Sequence, residues 1–332
     1  MKSFSNANPR DLKQAVALAT NARRSGKTAA FAGGGSDLLG MVKERIVNPD
    51  VLIHLHAIRG LDQVEAKAGA VGAVQIGGQI TLDALSRHAL IVGRYAVLAE
   101  AAASVATPQI RNAGTLAGNV CQRPWCWYFR NGFPCYKAGG NQCFSVTGEN
   151  QFHAIFGGGP SFIVHPSDTA PALVALDAKF RIAGPAGERT VTAADFFRLP
   201  KENAAKENAL NDDEVLASVE LPSVKQGTRS LYHKVLDREA WTHAVVSAAI
   251  VLEMDREVCR SARIVLGGVA PIPWRVPEAE RLLTGQRITP ELAARAAETA
   301  VAGANPLAKN KYKVPLTREI VERSVLSLGT RA

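Results

Sequence analysis

The 332-residue sequence contains no long apolar run, and aromatic residues make up only 6% of it. No stretch approaches the roughly 20 apolar residues that a membrane helix needs, so the sequence predicts no membrane insertion. Residues 1–6 lack the apolar segment that a secretory signal carries. We therefore expect a cytoplasmic protein, with co-export beside a signal-bearing partner into the periplasm as the alternative.

Clusters of basic residues are also missing, although the formal net charge is +9. Lys and Arg are spread along the whole chain without interleaved aromatic residues, which predicts no nucleic-acid partner. Two common phosphate-binding motifs are incomplete. A G-x-G-x-x-G fingerprint beginning at Gly33 needs glycine where Leu38 stands, and a Walker A loop ending at Thr28 needs glycine where Asn21 stands. A Rossmann or P-loop nucleotide site is thereby excluded at these positions.

The hydrophobic pattern predicts an α+β protein of two domains, because one core rarely grows beyond roughly 250–300 residues. A helix beginning at Pro9 with Asn8 as its cap opens the chain. Strand-like runs at 244–252 and 262–266 precede helices, which predicts a sheet with helices on one face. The predicted helices cover residues 277–283, 290–302 and 316–328.

A boundary is predicted near Lys225-Gln226-Gly227, where charged and glycine residues interrupt the pattern. It divides the chain into residues 1–224 and 225–332. We expect the first domain to consist of two subdomains, at about 1–56 and 57–224.

Two glycine-rich loops carry the first functional signal. One is Gly33-Gly34-Gly35-Ser36, directly after a predicted strand, and the other is Gly114-Thr115-Leu116-Ala117-Gly118-Asn119. Glycine lets the backbone approach a ligand closely and leaves N–H groups free for phosphate oxygens. Two such loops fit one long phosphate-bearing ligand better than one small substrate.

The loop at 32–36 and the segment 109–119 resemble those of the FAD-binding subunit of molybdenum hydroxylases. That family includes the medium subunits of carbon monoxide dehydrogenase, xanthine dehydrogenase and aldehyde oxidoreductases. The likeness continues through 165–170, 232–234 and 266–270, in order and over nearly the whole chain. It implies a two-part FAD-binding domain of the vanillyl-alcohol-oxidase-like (PCMH) type, followed by an α+β domain like that of carbon monoxide dehydrogenase flavoproteins.

The resemblance also implies roles for particular residues. The first loop would cradle the FAD pyrophosphate, the second would form the opposite wall, and Ile110 would lie near the isoalloxazine ring. Asp168 would bind a polar part of the flavin, and Lys234 would lie near the ring and bias its redox chemistry. Ala117 departs from the glycine that the family usually has, and we expect FAD binding to survive the extra methyl group. The residues implied in FAD binding are Ala32, Gly33, Gly34, Gly35, Ser36, Asp37, Leu38, Ile110, Gly114, Thr115, Gly118, Asn119, Asp168 and Lys234.

A cysteine-rich insertion at 121–150 holds four of the five cysteines, spaced Cys121-x4-Cys126-x8-Cys135-x7-Cys143. Disulfides are not expected in a chain of this size without an export signal. Structural zinc sites usually show paired C-x2–4-C knuckles, whereas a [4Fe–4S] cluster tolerates irregular spacing. The spacing alone leaves a cluster, a zinc ion and plain buried thiols open.

The resemblance favours the cluster, because the segment 122–129 is similar to the aldehyde oxidoreductase branch, which carries a [4Fe–4S] cluster in such an insertion. The implied ligands are Cys126, Cys135 and Cys143, with Cys121 as the fourth and His153 as the weaker alternative. Relatives can carry a cysteine where this chain has Ser161. The remaining thiol, Cys259 in the second domain, is expected to be inert.

The resemblance thus implies an electron-transfer oxidoreductase subunit rather than a complete enzyme, with no catalytic residue of its own. Its expected partners are a small [2Fe–2S] subunit and a large molybdenum-cofactor subunit. Electrons would pass from the molybdenum site through the [2Fe–2S] centres to FAD and then to an external acceptor. The alternatives are a stand-alone flavin oxidase or dehydrogenase and a zinc-stabilised interaction module.

Overall fold

A computed structural model describes residues 2–67, 72–240 and 242–330, and these form three β-sheets with helices packed around them. The first sheet is parallel, in the order β1-β3-β2. Its strands are Ser5–Ala7 (β1), Ala29–Ala32 (β2) and Val51–His54 (β3), and its helices are Leu12–Arg24 (α1) and Leu38–Lys43 (α2). The first glycine loop follows β2 directly, at the end of a half-buried parallel strand.

The predicted start of the first helix is wrong. The helix α1 begins at Leu12, not at Pro9, and its cap is Asp11, not Asn8. The Asp11 carboxylate accepts a hydrogen bond of 2.7 Å from the backbone N–H of Gln14, which satisfies one of the unpaired donors of the first turn.

The second sheet has five strands in the order β4-β5-β8-β6-β7, and all of its pairings are antiparallel. The strands are Val64–Ala66 (β4), Val74–Gly77 (β5), Lys179–Gly184 (β6), Gly187–Thr192 (β7) and Val215–Leu221 (β8). The helices of this part are Leu82–Arg87 (α3), Ala89–Arg94 (α4), Ala96–Ala103 (α5), Pro108–Ala113 (α6), Leu116–Cys121 (α7), Trp127–Arg130 (α8), Thr169–Ala175 (α9) and Ala193–Phe196 (α10).

The cysteine-rich insertion contains little regular structure. Within it lie only the short helix α8, the end of α7 and a 3-10 helix at Tyr136–Ala138. The second glycine loop lies at the junction between α6 and α7. Because the insertion begins at the end of α7, it starts directly beside the predicted flavin site.

The third sheet has the order β12-β11-β10-β9, with β13 also pairing with β11. Its strands are Thr228–Val235 (β9), Val246–Asp255 (β10), Val258–Gly267 (β11), Trp274–Arg275 (β12) and Gln286–Arg287 (β13). Its helices are Pro277–Leu283 (α11), Pro290–Val301 (α12) and Lys313–Thr330 (α13). The predicted α+β fold, with strands followed by helices, is confirmed, although α13 begins three residues before the predicted start at 316.

Alternate side chains of the third sheet enter two different cores, as the two-residue period of a strand requires. In β10, Ile250 and Leu252 pack in the core with the C-terminal helices. Ala249 and Val251 pack in the core that contains α5 and α9. In β9 the same alternation turns Tyr232 and Lys234 toward α5 and α9, where Lys234 bonds to Ser104 and Asp168.

Candidate functional site

The two predicted glycine loops lie directly against each other. A Cβ atom on Gly34 would lie 1.7 Å from the carbonyl oxygen of Ala113, and one on Gly33 would lie 2.7 Å from Oγ1 of Thr115. The first of these contacts is with backbone, which cannot rotate away. The loops can therefore approach each other only because these positions lack a side chain.

Two cavities meet at this contact. The first, which we call the flavin cavity, has a volume of about 340 Å³. The second, which we call the outer cavity, has a volume of about 500 Å³ and shares Thr115 and Gly118 with the first. Predicted residues that line the flavin cavity are Ser36, Asp37, Ile110, Gly114, Thr115, Gly118, Asn119 and Asp168. Two cavities that are joined at the glycine loops suit a long ligand that bends at its phosphate groups.

Gln79 also faces the meeting point of the loops, and the sequence did not suggest it. Its side chain is buried, lines the outer cavity and lies 3.1 Å from the Cβ position of Gly33. Its Oε1 atom has no hydrogen-bond partner among the described residues. A buried acceptor without a donor suits a ligand that brings hydroxyl groups, and FAD has ribose and ribityl hydroxyls. The residues present therefore fit FAD.

Asp168 and Lys234, 66 residues apart, form a buried ion pair in which Nζ lies 2.8 Å from Oδ2. Each of their side chains is only 4% exposed, and the other carboxylate oxygen accepts a hydrogen bond of 2.7 Å from the hydroxyl of Tyr232. Burial raises the pKa of Tyr232 well above its usual value, and the negative charge of Asp168 adds to the rise. Asp168 lines the flavin cavity, whereas Lys234 lines a neighbouring cavity and stands behind Asp168.

The amide oxygen of Asn119 supports the second loop from inside the protein. It accepts hydrogen bonds of 2.6 Å from the Ser167 hydroxyl and 2.7 Å from the Thr169 hydroxyl. These bonds join the second loop to the segment that carries Asp168. The remaining predicted residues of the first loop, Ala32, Gly34, Gly35 and Leu38, line neither of the two cavities and shape the loop instead.

The carboxylate of Asp37 is engaged by the insertion. Arg130 of the insertion is buried, and its Nη2 atom lies 2.6 Å from Oδ1 of Asp37. The backbone N–H of Arg123 donates to Oδ2 at 3.1 Å. Both carboxylate oxygens therefore hold the insertion against the first glycine loop. A carboxylate would repel a phosphate of like charge, so this side chain is better suited to the insertion than to direct contact with a phosphate.

Trp125 stands between the insertion and the flavin cavity. The guanidinium of Arg130 lies 4.2 Å from the centre of its indole ring, a cation–π contact. The imidazole of His243 lies on the ring at a centroid distance of 5.6 Å. Trp125 and His243 both line the flavin cavity. The insertion thus contributes a wall to the predicted flavin site.

Three of the four predicted cluster cysteines lie near one another. Burial raises the pKa of the Cys126 thiol to about 11, and the neighbouring thiols of Cys135 and Cys143 add to the rise. Nε2 of His153 lies 3.4 Å from Sγ of Cys126. Within residues 2–67, 72–240 and 242–330, no three His, Cys, Asp or Glu side chains are grouped closely enough to bind a single metal ion. No ligand set for a metal centre is therefore preformed in that part of the chain.

Cys121 stands in a different setting from the other three. It is the last residue of α7, packs beside the core of the second sheet and lines the outer cavity with Arg123. Burial alone raises the pKa of its thiol to about 12. The assignment of Cys121 as the fourth ligand stays a prediction. The fifth thiol, Cys259, is fully buried in β11, as expected for an inert core residue.

Comparison with known proteins identifies the family. Residues 2–224 match the family described as the FAD binding domain in molybdopterin dehydrogenase. Residues 231–328 match the CO dehydrogenase flavoprotein C-terminal domain. The chain belongs to the FAD-binding medium subunits of molybdenum hydroxylases. FAD binding, which the resemblance implied, is therefore confirmed, as is the assignment to an oxidoreductase subunit.

Individual medium subunits match over nearly their full length. The aldehyde oxidoreductase FAD-binding subunit PaoB of Escherichia coli is 35% identical over 87% of this chain and 88% of its own length. The carbon monoxide dehydrogenase medium chain of Hydrogenophaga pseudoflava is 27% identical over 97% of this chain and 96% of its own. A solved carbon monoxide dehydrogenase structure from the same organism superposes with a TM-score of 0.77 at 26% identity, covering 98% of this chain and 97% of that one.

The one departure from the medium-subunit loop, Ala117, is accommodated by the fold. Its methyl group faces Gly78, where an added Cβ would lie 3.0 Å from that of Ala117. The backbone N–H of Ala117 donates to the carbonyl of Gly78, so the two segments pack closely. Space for the extra methyl is therefore provided by a glycine in the turn that follows β5. In the described part of this medium subunit, no helix is both long and apolar enough to cross a membrane.

Proposed function

We propose that this medium subunit carries a [4Fe–4S] cluster in its insertion beside FAD and transfers electrons in a molybdenum-dependent aldehyde oxidoreductase. Its partners would be a small [2Fe–2S] subunit and a large molybdenum-cofactor subunit. The observation that carries the proposal is that Cys126 contacts His153, while Cys135 forms a β-bridge with Gln142, the residue before Cys143. Trp125, the neighbour of Cys126 in sequence, also lines the flavin cavity. The similarity to an aldehyde oxidoreductase subunit supports the same branch of the family.

The chemistry of the insertion suits a cluster better than a single ion. The four ligands of a cubane each bind a different iron, so they stand farther apart than the ligands of one zinc ion. Tyr128, Phe133 and Phe144 pack together beside the thiols, with ring centroids 5.0–6.1 Å apart. Aromatic side chains in this position exclude water, which is one of the factors that sets a cluster's potential.

We propose His153 rather than Cys121 as the fourth ligand. His153 is 6% exposed, and its imidazole already contacts the Cys126 sulfur. Burial lowers the pKa of His153 to about 4, so the ring is neutral and its nitrogen is free to bind metal at physiological pH. Cys121 instead lines the outer cavity.

In this proposal, FAD supplies the ability to exchange electrons singly or in pairs, which suits a bridge between one-electron clusters and a final acceptor. The chain's own residues hold it in place. The glycine loops enclose it, Gln79 offers an acceptor, and the Asp168–Lys234 pair fixes a charged group at the wall of the flavin cavity. We place the complex in the cytoplasm, with co-export into the periplasm as the alternative, and cell fractionation distinguishes the two.

The test measures iron, sulfide and flavin in the purified chain together with its electron paramagnetic resonance spectrum. We expect about four irons per chain, and we expect Cys135→Ser to lose most of the iron while FAD stays bound. Cys259→Ser is the matched control, because this thiol is buried far from the insertion, and it should keep both cofactors. Zinc in place of iron, or unchanged iron in Cys135→Ser, would refute the cluster.

The fourth ligand is tested by a second pair of variants. Cys121→Ser should leave the iron content and the spectrum unchanged, whereas His153→Gln should alter the spectrum. The reverse result would assign Cys121. Since flavin is measured in the same samples, loss of the whole fold is distinguished from loss of the cluster alone.

A further inference from the structure

A third cavity, of about 230 Å³, lies between the insertion and the C-terminal domain, and we call it the aromatic cavity. Trp125 and Trp127 of the insertion, with Phe152 just beyond it, form one side, and His165 and His243 stand among its other lining residues. The residues that it shares with the flavin cavity are Trp125, Pro166, Asp168, Thr242 and His243. A ligand in the aromatic cavity would therefore be separated from the flavin site by no more than these shared side chains.

The three aromatic side chains on this side of the cavity are unusually exposed for apolar groups. Trp125, Trp127 and Phe152 are 45%, 53% and 50% exposed. Large aromatic side chains at the mouth of a cavity, with polar groups deeper inside, are typical of a small-molecule site.

The charges of the lining exclude anionic ligands. Among the described residues, no Lys or Arg side chain lines the aromatic cavity, whereas Glu149, Asp168 and Asp237 do. Asp168 is neutralised by Lys234, and Glu149 by Lys309, so the lining remains slightly negative. A dinucleotide with its pyrophosphate would be repelled here, because nothing in the lining offsets its charge.

Several buried polar atoms in the lining are left for a ligand to satisfy. Nδ1 of His153, Oε1 of Gln151 and Nε2 of His165 are among those without a hydrogen-bond partner in the part of the chain that the structure describes. All three residues line the aromatic cavity. An imidazole N–H can donate to a carbonyl oxygen, and buried polar groups without partners are rare in folded proteins.

We propose that the aromatic cavity binds a small uncharged quinone, with its ring against Trp127 and Phe152 and a carbonyl oxygen accepting from His153. The inference extends the proposed function, since it names the class of oxidant that reoxidises the subunit. A quinone takes up two electrons and two protons to become a quinol, and a fully reduced FAD releases two of each. Cys126 and His153, which the proposed function makes cluster ligands, also line this cavity.

The experiment titrates menadione into the flavin-loaded full-length chain and into the assembled complex, by isothermal titration calorimetry. Saturable binding is expected in both, and the dissociation constants of Trp127→Ala and Phe152→Ala are expected to rise about tenfold or more. Val146→Ala is the matched control. Val146 is 46% exposed in the same insertion but does not line the cavity, so its variant should bind like the parent.

Flavin and iron contents of every variant are measured alongside, and both altered side chains are half exposed, so the fold should survive their removal. Normal cofactor content with no menadione binding would overturn this inference while leaving the proposed function intact. Equal affinity in parent and Trp127→Ala would also overturn it. Displacement of menadione by NAD⁺ would refute the charge-based choice of ligand, and binding to the free chain but not to the complex would make this face a subunit interface.

Discussion

The glycine loops and the cysteine-rich insertion meet at the flavin cavity but are built in opposite ways. The loops follow strands and short helices, and their contact is made by backbone atoms, as the 1.7 Å approach at Gly34 shows. The insertion has one short helix and one 3-10 turn, and long charged side chains hold it in place. Arg130 reaches Asp37, and Lys137 forms a buried pair with Glu207 at 2.8 Å.

The two regions are therefore sensitive to different kinds of substitution. A backbone contact tolerates no added atom, but it contains no group that titrates. A segment held by buried charges tolerates changes of shape, yet it loses much of its stability when one partner of a pair is removed. The two regions should therefore fail under different perturbations, and variants can separate them.

The largest effect is expected from Gly34→Ala. The new methyl group would overlap the Ala113 carbonyl, so the two loops must separate and the flavin content should fall about tenfold or more. Flavin released by denaturation is measured per chain. Gly93→Ala is the control, because a Cβ there meets nothing within 4 Å. A full complement of flavin in Gly34→Ala would show that the loop contact is not required for FAD binding. If the two regions are independent, the iron content of this variant should fall less than its flavin content.

An intermediate effect is expected from Arg130→Met, which removes the charge that holds the insertion. Asp37 and Glu44 lose their cation and Trp125 loses its stacked guanidinium, so the insertion should be destabilised by about 3 kcal/mol. Limited proteolysis within 121–150 and urea unfolding measure the change.

The matched control for that variant is Arg323→Met, which breaks an exposed pair with Glu319 on α13 and should cost less than about 1 kcal/mol. Equal losses in the two variants would show that the insertion is not anchored by charge. The double variant with Asp37→Asn should cost less than the sum of its single changes, because the two groups act on one interaction.

The glycine loops could be predicted from the sequence because their requirement is local. A backbone contact of this kind needs glycine itself, so the residue type reports the geometry, and the predicted loop residues surround the two cavities. The α+β order of the C-terminal region was predicted for the same reason. Its strands and helices are long, and their periodic patterns are read within single segments.

The antiparallel strands β6, β7 and β8 were not predicted, nor was β9, which carries Lys234. Only β8 pairs across more than a hundred residues, with β5. β6 and β7 form a local hairpin, and β9 pairs with the next strand, β10. Asp168 and Lys234 lie 66 residues apart on different elements, so the two residues could be named separately while their contact could not. Asp37 follows the first glycine loop and lines the flavin cavity, but the sequence did not indicate that its carboxylate also bonds to Arg130.

The spacing of the cysteines also predicted only part of the candidate metal site. Four thiols in one segment predict convergence, but which of them converge depends on the fold of the intervening residues. Cys121 belongs to a helix that packs on the core, and this separates it from Cys126 only five residues later. His153, 27 residues beyond Cys126, approaches the same sulfur because the insertion folds back on itself.

The smallest expected effect is the pH dependence of stability, to which Lys313 contributes and the backbone contact between the glycine loops does not. Lys313 is fully buried, and its ammonium donates to the carbonyls of Phe152 at 3.0 Å and Gly268 at 2.7 Å, which ties the end of the insertion to the C-terminal domain. Burial lowers the pKa of Lys313 to about 7, whereas an unfolded lysine has a pKa of about 10.4. Between these values the unfolded chain binds more protons than the folded chain, so this group makes the free energy of unfolding rise with pH.

From pH 6 to pH 8 the contribution of Lys313 should therefore increase stability by on the order of 1 kcal/mol, and Lys313→Met should lose that increase. Urea unfolding at several pH values measures the difference between parent and variant, which cancels groups common to both. Lys309→Met is the control, because Lys309 is half exposed and pairs with Glu149 at the surface, so its variant should keep the parent's pH dependence. An unchanged pH dependence in Lys313→Met would mean that this lysine stays protonated in the folded chain. Lys313 would then carry a charge as permanent as that of Arg130. The pH dependence of the free energy of unfolding would no longer distinguish the attachment of this segment from the contact between the glycine loops.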